Sequence, residues 1–219
     1  MRPDEDIKRD VEEELRSDPD IDPTDIGVAV KSGVVTLTGF VRSYSQKFEA
    51  EEAVKRIVGV VGVANDLEVR LPAIDERPDP DIARDAVEVI KAQLPDAWEN
   101  ITVVVKNGWV SLEGEVERNS QREAAERAVR WVKGVKGVSN LIEVRPRVLA
   151  EEAEIKRRIE EAFRRSAEVD ANRITVEAHG GEVVLRGTVR SWAERQEAER
   201  AAWTAPGITK VVNELTVSP

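Results

Sequence analysis

The sequence predicts an α+β protein built from three tandem αββαβ modules, each a three-stranded mixed sheet that two helices cover on one face. Three observations lead to this prediction. One pattern of residues recurs three times along the chain, each copy begins with helical apolar spacing, and each copy then alternates apolar and polar residues as strands do. Two helices can cover only one face of a small sheet, so we expect a two-layer sandwich in each copy.

The repeat is defined by six positions that recur in the same order without a gap inside any copy. The first copy has Ile7, Gly33, Gly39, Val41, Ala53 and Asn65, the second has Ile82, Gly108, Gly114, Val116, Ala128 and Asn140, and the third has Ile155, Gly181, Gly187, Val189, Ala201 and Asn213. Short segments that are polar or contain proline join the copies, at Leu71–Pro80 and Pro146–Glu151. We therefore predict modules at residues 1–72, 78–146 and 150–219, each of about 70 residues and near the lower size for independent folding.

Each copy opens with a short amphipathic helix. Ile7, Val11 and Leu15 recur at every fourth position, which places them on one helical face. The first turn is acidic, which suits the positive end of the helix dipole. The other copies repeat the apolar stripe as Ile82, Ala86 and Ile90, and as Ile155, Ile159 and Phe163.

A β-hairpin follows the first helix. The turn pairs Asn107-Gly108 and Gly180-Gly181 predict type I′ turns, in which both central residues have positive φ. The second strand of the hairpin carries a recurring glycine, at Gly39, Gly114 and Gly187. Glycine weakens a strand unless another element approaches closely, so we expect these glycines to be structural, with a helix packed too tightly for a Cβ.

A second helix and a last strand complete each copy. The pairs Ser43/Gln46 and Ser191/Glu194 fit a capping box at the start of the second helix. The middle copy has Arg118 in place of the serine, so we expect its cap to come from Asn119 or Ser120. The last strand alternates through a recurring asparagine, for example Val63, Asn65, Leu67 and Val69.

The composition excludes most catalytic and cofactor chemistry. The chain has no cysteine, which removes disulfides, thiolate nucleophiles and cysteine-based metal sites, and its one histidine removes any site that needs two imidazoles. The sequence shows no nucleophile–base pattern, phosphate loop or cofactor fingerprint. We therefore predict that the protein is not an enzyme and has no cofactor and no metal site.

Charge and hydropathy bear on partners and location. The 33 Lys and Arg against 43 Asp and Glu give a net charge of −10, which repels a phosphate backbone, so we predict no nucleic-acid partner. No stretch approaches the roughly 20 apolar residues of a transmembrane segment. The acidic start differs from the basic and then apolar pattern of an export signal. We expect a cytoplasmic location, or a periplasmic one if the chain is a processed form.

The repeated unit resembles the BON domain, named for bacterial osmotically inducible and nodulation proteins. The resemblance rests on Gly33-Val-Val-Thr-Leu-Thr-Gly39-Phe-Val41 and on Gly59-Val-Val-Gly-Val-Ala-Asn65-Asp-Leu67-Glu-Val69, with counterparts in the other copies. It implies a non-enzymatic binding protein of the osmotic and envelope-stress type, which contacts phospholipid surfaces or protein partners. It also raises two alternatives, a module that senses a monovalent cation such as potassium and a scaffold for protein–protein contacts.

Contact with anionic phospholipid needs positive charge beside exposed apolar side chains. Copies two and three offer this combination, at Arg122, Arg127, Arg130, Trp131 and Lys133 and at Arg190, Trp192 and Arg195. We place any anionic-lipid or partner surface there. The alternative is that Glu123 and Glu126 neutralise the second-copy cations as helical neighbours.

Aromatic residues that differ between copies predict contacts between modules. Phe40, Tyr44, Phe48 and Trp109 occupy positions at which at least one other copy has a polar residue. Large apolar groups that are specific to one copy suit heterologous packing, and insertion into a lipid interface is the alternative. With short linkers, this favours a compact body of three modules. The sequence determines neither their arrangement nor the oligomeric state.

Overall fold

The computed structural model describes residues 2–148 and 150–218. Met1 and Pro219, at the ends of the predicted first and third modules, and Leu149, in the predicted second linker, lie outside the described residues. The chain forms three αββαβ units in sequence, each with its own sheet and its own cluster of buried apolar side chains, as predicted.

The three modules have the same order of elements. The first contains α1 (Asp4–Ser17), a 3-10 turn (Pro23–Asp25), β1 (Ile26–Lys31), β2 (Val34–Val41), α2 (Tyr44–Lys55), β3 (Gly62–Asn65) and β4 (Glu68–Val69). The second contains α3 (Asp79–Gln93), a 3-10 turn (Trp98–Asn100), β5 (Ile101–Lys106), β6 (Trp109–Val116), α4 (Asn119–Val129), β7 (Gly137–Asn140) and β8 (Glu143–Val144). The third contains α5 (Glu152–Arg165), a 3-10 turn (Ala171–Arg173), β9 (Ile174–His179), β10 (Glu182–Val189), α6 (Trp192–Ala202) and β11 (Lys210–Val217).

Each sheet is mixed, with the second hairpin strand in the middle. In the first module, β2 pairs with β1 in antiparallel register and with β3 and β4 in parallel register. The predicted single last strand is divided in the first two modules. Pairing nevertheless continues through the division in the first module, because the Asp66 N–H donates to the Leu37 carbonyl at 2.9 Å. In the third module β11 pairs with β10 as one strand.

The hairpin turns have the predicted geometry. Asn107 and Gly108 have φ of 53° and 78°, and Gly180 and Gly181 have φ of 56° and 88°, which are the two positive values of a type I′ turn. Ser32 adopts the same conformation in the first module, at φ 53°. The turn geometry is therefore common to all three modules, although only two have a typical turn sequence.

The second helices begin differently in the three modules. The Ser43 and Ser191 hydroxyls accept from the N–H groups of Gln46 and Glu194, as the sequence predicts. The prediction for the middle module is wrong, because neither Asn119 nor Ser120 caps α4. Instead the Gln121 side-chain oxygen accepts from the Arg118 N–H at 3.0 Å and the Glu117 N–H at 3.1 Å.

The modules form a closed ring through their second helices. The start of α2 packs against the second module, the start of α4 faces the third, and the start of α6 packs against the first. Each contact joins the beginning of one helix to the end of the next. Contacts of this head-to-tail kind close into a ring when the rotation between units returns to the first unit. The single chain thus has the arrangement of a cyclic trimer.

Candidate functional site

The three module interfaces use equivalent positions on the second helices. The repeat aligns Tyr44 with Asn119 and Trp192 near the helix start, Phe48 with Glu123 and Gln196 one turn later, and Lys55 with Arg130 and Trp203 at the helix end. Side chains at these positions differ between modules, so each interface is filled differently.

Aromatic rings fill the interface between the first and second modules. The Tyr44 ring packs against the core of the second module, and the Arg130 guanidinium carbon lies 3.2 Å from the centroid of the Phe48 ring. A desolvated guanidinium over an aromatic face is a favourable cation–π contact. Burial and the nearby Glu126 carboxylate raise the pKa of the Tyr44 phenol above its ordinary value.

An indole fills the interface between the third and first modules. Trp192 packs against the core of the first module, with the Lys55 ammonium 6.0 Å from its ring centroid. The Gln196 amide donates to the Glu52 carboxylate at 3.1 Å across the same interface. Burial lowers the pKa of Lys55, but its bonds to Glu51 and Glu52 outweigh this and leave the pKa raised. The lysine therefore stays charged beside the ring.

The interface between the second and third modules contains a cavity. Asn119 and Glu123 stand where the other interfaces have an aromatic side chain at one or both positions, and a space of about 630 Å³ lies between them and Trp203. The Asn119 amide donates to the Glu123 carboxylate at 2.7 Å, so these two groups satisfy one another at the wall of the cavity. Trp203 contacts the cores of both modules.

Most of the predicted lipid-contact residues of the third module are held within the protein. Trp192 is an interface residue, and the Arg195 guanidinium donates to the carbonyls of Leu215 and Asn213 at 3.1 and 2.6 Å. The Arg190 guanidinium donates to Glu194 and to the Glu168 carbonyl. The first module thus covers Trp192, and the last strand of its own module holds Arg195, so neither side chain is free for the predicted lipid or partner contact.

The predicted surface of the second module is only partly free. Arg130 is 12% exposed under Phe48, and the Arg122 Nε is buried. By contrast, Trp131 is 57% exposed, Arg127 is exposed, and the Lys133 ammonium, paired with Asp75 at 2.9 Å, faces solvent. Three of the five predicted residues therefore remain accessible to a partner.

The four predicted inter-module aromatics divide into two pairs. Tyr44 and Phe48 lie between modules, as described above. Phe40 and Trp109 instead lie on the uncovered faces of the first and second sheets, where the Arg70 guanidinium covers the Phe40 ring at 4.6 Å and the Trp109 indole donates to the Ser139 hydroxyl at 2.9 Å. Strand alternation places them opposite the buried residues, so for these two the predicted inter-module contact is wrong.

The recurring strand glycines face a carbonyl rather than a helix. A Cβ on Gly39, Gly114 or Gly187 would lie 2.0, 1.9 or 2.0 Å from the carbonyl oxygen that ends the preceding 3-10 turn. Their φ values of 107°, 123° and 133° also disfavour any other residue. The prediction that a helix packs against these glycines is therefore wrong, because the close neighbour is the backbone just before the first strand of each module. These glycines position the hairpin and offer no side chain for binding.

Two polar contacts recur in the three modules, and the sequence patterns do not predict either contact. The Asp4 carboxylate accepts from the turn N–H groups of Ser32 and Gly33, and Asp79 and Glu152 repeat this contact in the other modules. The recurring asparagine of the last strand donates to a second-helix carbonyl and to a glutamate, as Asn65 does to Lys47 and Glu51. Their recurrence at equivalent positions of the repeat is the sequence signal for these contacts.

Within residues 2–148 and 150–218, no three His, Asp or Glu side chains lie together as a metal site would require. In the same residues, no helix combines the length and apolar character needed to cross a bilayer.

Comparison with known proteins identifies the class. The BON domain matches the chain three times, at residues 3–70, 79–146 and 151–219, so the chain belongs to the BON domain family. This is a family of non-catalytic binding domains. No curated protein sequence matches the chain.

Two solved structures of CdsD, a structural protein of the type III secretion system of Chlamydia trachomatis, are similar to this chain. One, of the C-terminal domain, has 15% identity and a TM-score of 0.27 over 98% of both chains. The other has 16% identity and a TM-score of 0.28 over 98% of this chain and 93% of that chain.

Proposed function

We propose that this protein is a non-enzymatic interaction protein of the osmotic or envelope-stress type, and that its second module contacts anionic phospholipid. The observation that carries the proposal is the exposed indole of Trp131, which is 57% accessible, lines one groove with Lys133 and follows the exposed Arg127 by four residues. An amphipathic ring flanked by cations suits the boundary between headgroups and acyl chains.

The charge around Trp131 sets the strength of such a contact. Each Lys or Arg near an anionic surface contributes about 1 kcal/mol, and the effect falls off within a Debye length. Asp85 and Glu88 of α3 line the same shallow groove as Trp131 and oppose this attraction. Binding through this surface is therefore weak, reversible and strongly dependent on salt.

Vesicle co-sedimentation tests the proposal directly. We expect binding to vesicles that contain phosphatidylglycerol at low salt, weaker binding at high salt, and none to purely zwitterionic vesicles. Changing Arg127→Glu with Trp131→Ala should abolish binding. The matched control is Arg16→Glu with Val58→Ala, which makes the same kind of change at exposed positions of the first module. Binding that persists in the first variant, or no binding by the unchanged protein, would exclude this surface.

A second candidate is a protein partner on the uncovered sheet of the second module. Trp109 is 51% exposed there, and its indole N–H is fixed by Ser139, so little side-chain entropy is lost on contact. The equivalent position in the third module is Glu182, paired with Lys210. A photoreactive residue at position 109 should cross-link a partner that the same residue at position 182 does not, and equal cross-linking would count against this face.

Potassium sensing remains a prediction from the family resemblance. A cation site needs several converging oxygen ligands. If the protein binds potassium, its melting temperature should rise in potassium chloride and not in sodium chloride of the same ionic strength. Equal melting in the two salts would remove this alternative.

A further inference from the structure

Because the modules are repeats, equivalent positions of the three interfaces can be compared directly. Two of the three equivalent interfaces have an aromatic side chain at the start of the second helix, Tyr44 in one and Trp192 in the other. At the third, Asn119 leaves this place without a ring, and a cavity of about 630 Å³ remains. The same backbone geometry is thus filled by an aromatic side chain in two interfaces and leaves a cavity in the third.

The cavity has the dimensions and lining of a small-molecule site. Its volume falls within the ~300–1,000 Å³ that ligand pockets span. One wall is the Trp203 indole with Ile208 and Ala205 beside it, and Val144 and Pro146 add apolar surface from the second module. A planar apolar group placed there would occupy the place that Tyr44 and Trp192 occupy in the other interfaces.

Three arginines line the cavity, and two of them are paired with carboxylates. Arg147 pairs with Glu117, and Arg200 donates to Glu197 outside the cavity. Arg118 is exposed, and within residues 2–148 and 150–218 it makes no salt bridge. A planar guanidinium of this kind binds carboxylate or sulfonate oxygens in a bidentate way.

We propose that the groove between the second and third modules is a binding site for a small aromatic anion, with the aromatic body on Trp203 and the anionic group at Arg118. The site is separate from the Trp131 surface, which lies at the end of α4 rather than at its start. The third interface is therefore a ligand site built from the same scaffold that elsewhere joins modules.

Calorimetric titration with 2-naphthalenesulfonate tests the site, and 2-naphthalenemethanol serves as the uncharged counterpart. We expect saturable binding of the anion at one site per chain and binding of the alcohol that is at least about tenfold weaker, since a charge-assisted hydrogen bond is lost. Equal binding of the two compounds would overturn the anionic assignment. No saturable binding of the sulfonate would overturn the site.

Variants copied from the first module locate the binding. Asn119→Tyr with Glu123→Phe places the side chains of Tyr44 and Phe48 in the groove and should abolish binding of the sulfonate while raising the melting temperature. Unchanged binding in this variant would place the ligand elsewhere and overturn the proposal.

A single exposed substitution keeps the test valid if the filled variant fails to fold. Arg118→Gln should weaken the sulfonate about tenfold and leave the alcohol unchanged. The control Arg16→Gln, at an exposed position of α1, should change neither. Equal affinity of Arg118→Gln and the unchanged protein for the sulfonate would overturn the role of Arg118 and with it the anionic end of the site.

Discussion

The interface between the first and second modules and the interface between the second and third have the same backbone plan and opposite contents. In the first, Phe48 lies under Arg130 and Tyr44 reaches the neighbouring core. In the second, Asn119 and Glu123 hydrogen-bond to each other beside a cavity. Two residue differences on one helix face thus separate a filled interface from one that contains a cavity.

This difference shows that the interfaces between modules can change while the modules keep their architecture. The core of each module depends on residues that all copies share, such as Leu37, Leu112 and Leu185, which are fully buried. The interfaces depend on positions at which the three copies have different residues, such as Tyr44, Asn119 and Trp192. A ring of three modules needs all three interfaces to form, but one of them can contain a cavity.

The largest expected loss of stability comes from giving the interface between the first and second modules the residues found between the second and third. Tyr44→Asn with Phe48→Glu removes two half-buried rings and leaves Arg130 facing a new cavity, so the free energy of unfolding should fall by about 3 kcal/mol. Urea unfolding monitored by circular dichroism measures this loss. The control Phe40→Asn, on the uncovered sheet face, should cost much less. A loss of under about 1 kcal/mol would mean that the aromatic filling does not stabilise the ring.

A smaller effect is expected from the interface that closes the ring. Trp192→Ala removes an indole packed on the core of the first module, and we expect a loss of about 2 kcal/mol in thermal unfolding. Trp131 provides a matched control, because its indole is 57% exposed and Trp131→Ala should change stability by no more than about 0.5 kcal/mol. Similar losses for the two tryptophans would argue against the closed ring.

Acid should destabilise the third module through Glu194. Glu194 stands where they have Gln46 and Gln121, and its carboxylate accepts from the N–H groups of Arg190 and Asp170. Burial raises the pKa of Glu194, but these N–H groups and the Arg190 guanidinium outweigh it and lower the pKa. A lowered pKa stabilises the fold above the ordinary value of 4.5, and this contribution is lost as the pH falls through the folded value.

The variant Glu194→Gln isolates this effect. At pH 7 it should be about 1 kcal/mol less stable than the unchanged protein, because a neutral amide accepts more weakly than a carboxylate. The difference should shrink as the pH is lowered below 4.5. Unfolding curves over a pH series measure it, and a difference that stays constant with pH would show that the charge of Glu194 does not matter.

The smallest effect is expected at the cation–π contact. Arg130→Lys keeps the charge but loses the planar stacking on Phe48, so we expect a loss of about 0.5 kcal/mol. Arg127→Lys, one turn earlier on the exposed face of α4, should have no measurable effect. Equal stability of the two variants would mean that stacking on Phe48 adds nothing beyond packing.

The sequence by itself determined the module, its turns and its family. Apolar spacing at Ile7, Val11 and Leu15 defines a helix, and Asn107-Gly108 defines a type I′ turn, because these signals are local and depend on backbone geometry alone. The threefold recurrence made each signal stronger, since three copies agreed.

Only the tertiary structure decided which variable residues form interfaces and which face solvent. Tyr44 and Phe40 are both aromatic residues specific to the first copy, yet one packs against the second module and the other lies on an open sheet face. Trp192 and Trp131 both neighbour arginines in sequence, yet one is covered by another module and the other is exposed. The physical reason is that these outcomes depend on how the modules are rotated about one another. That rotation follows from contacts between residues far apart in the chain, and no local pattern records it.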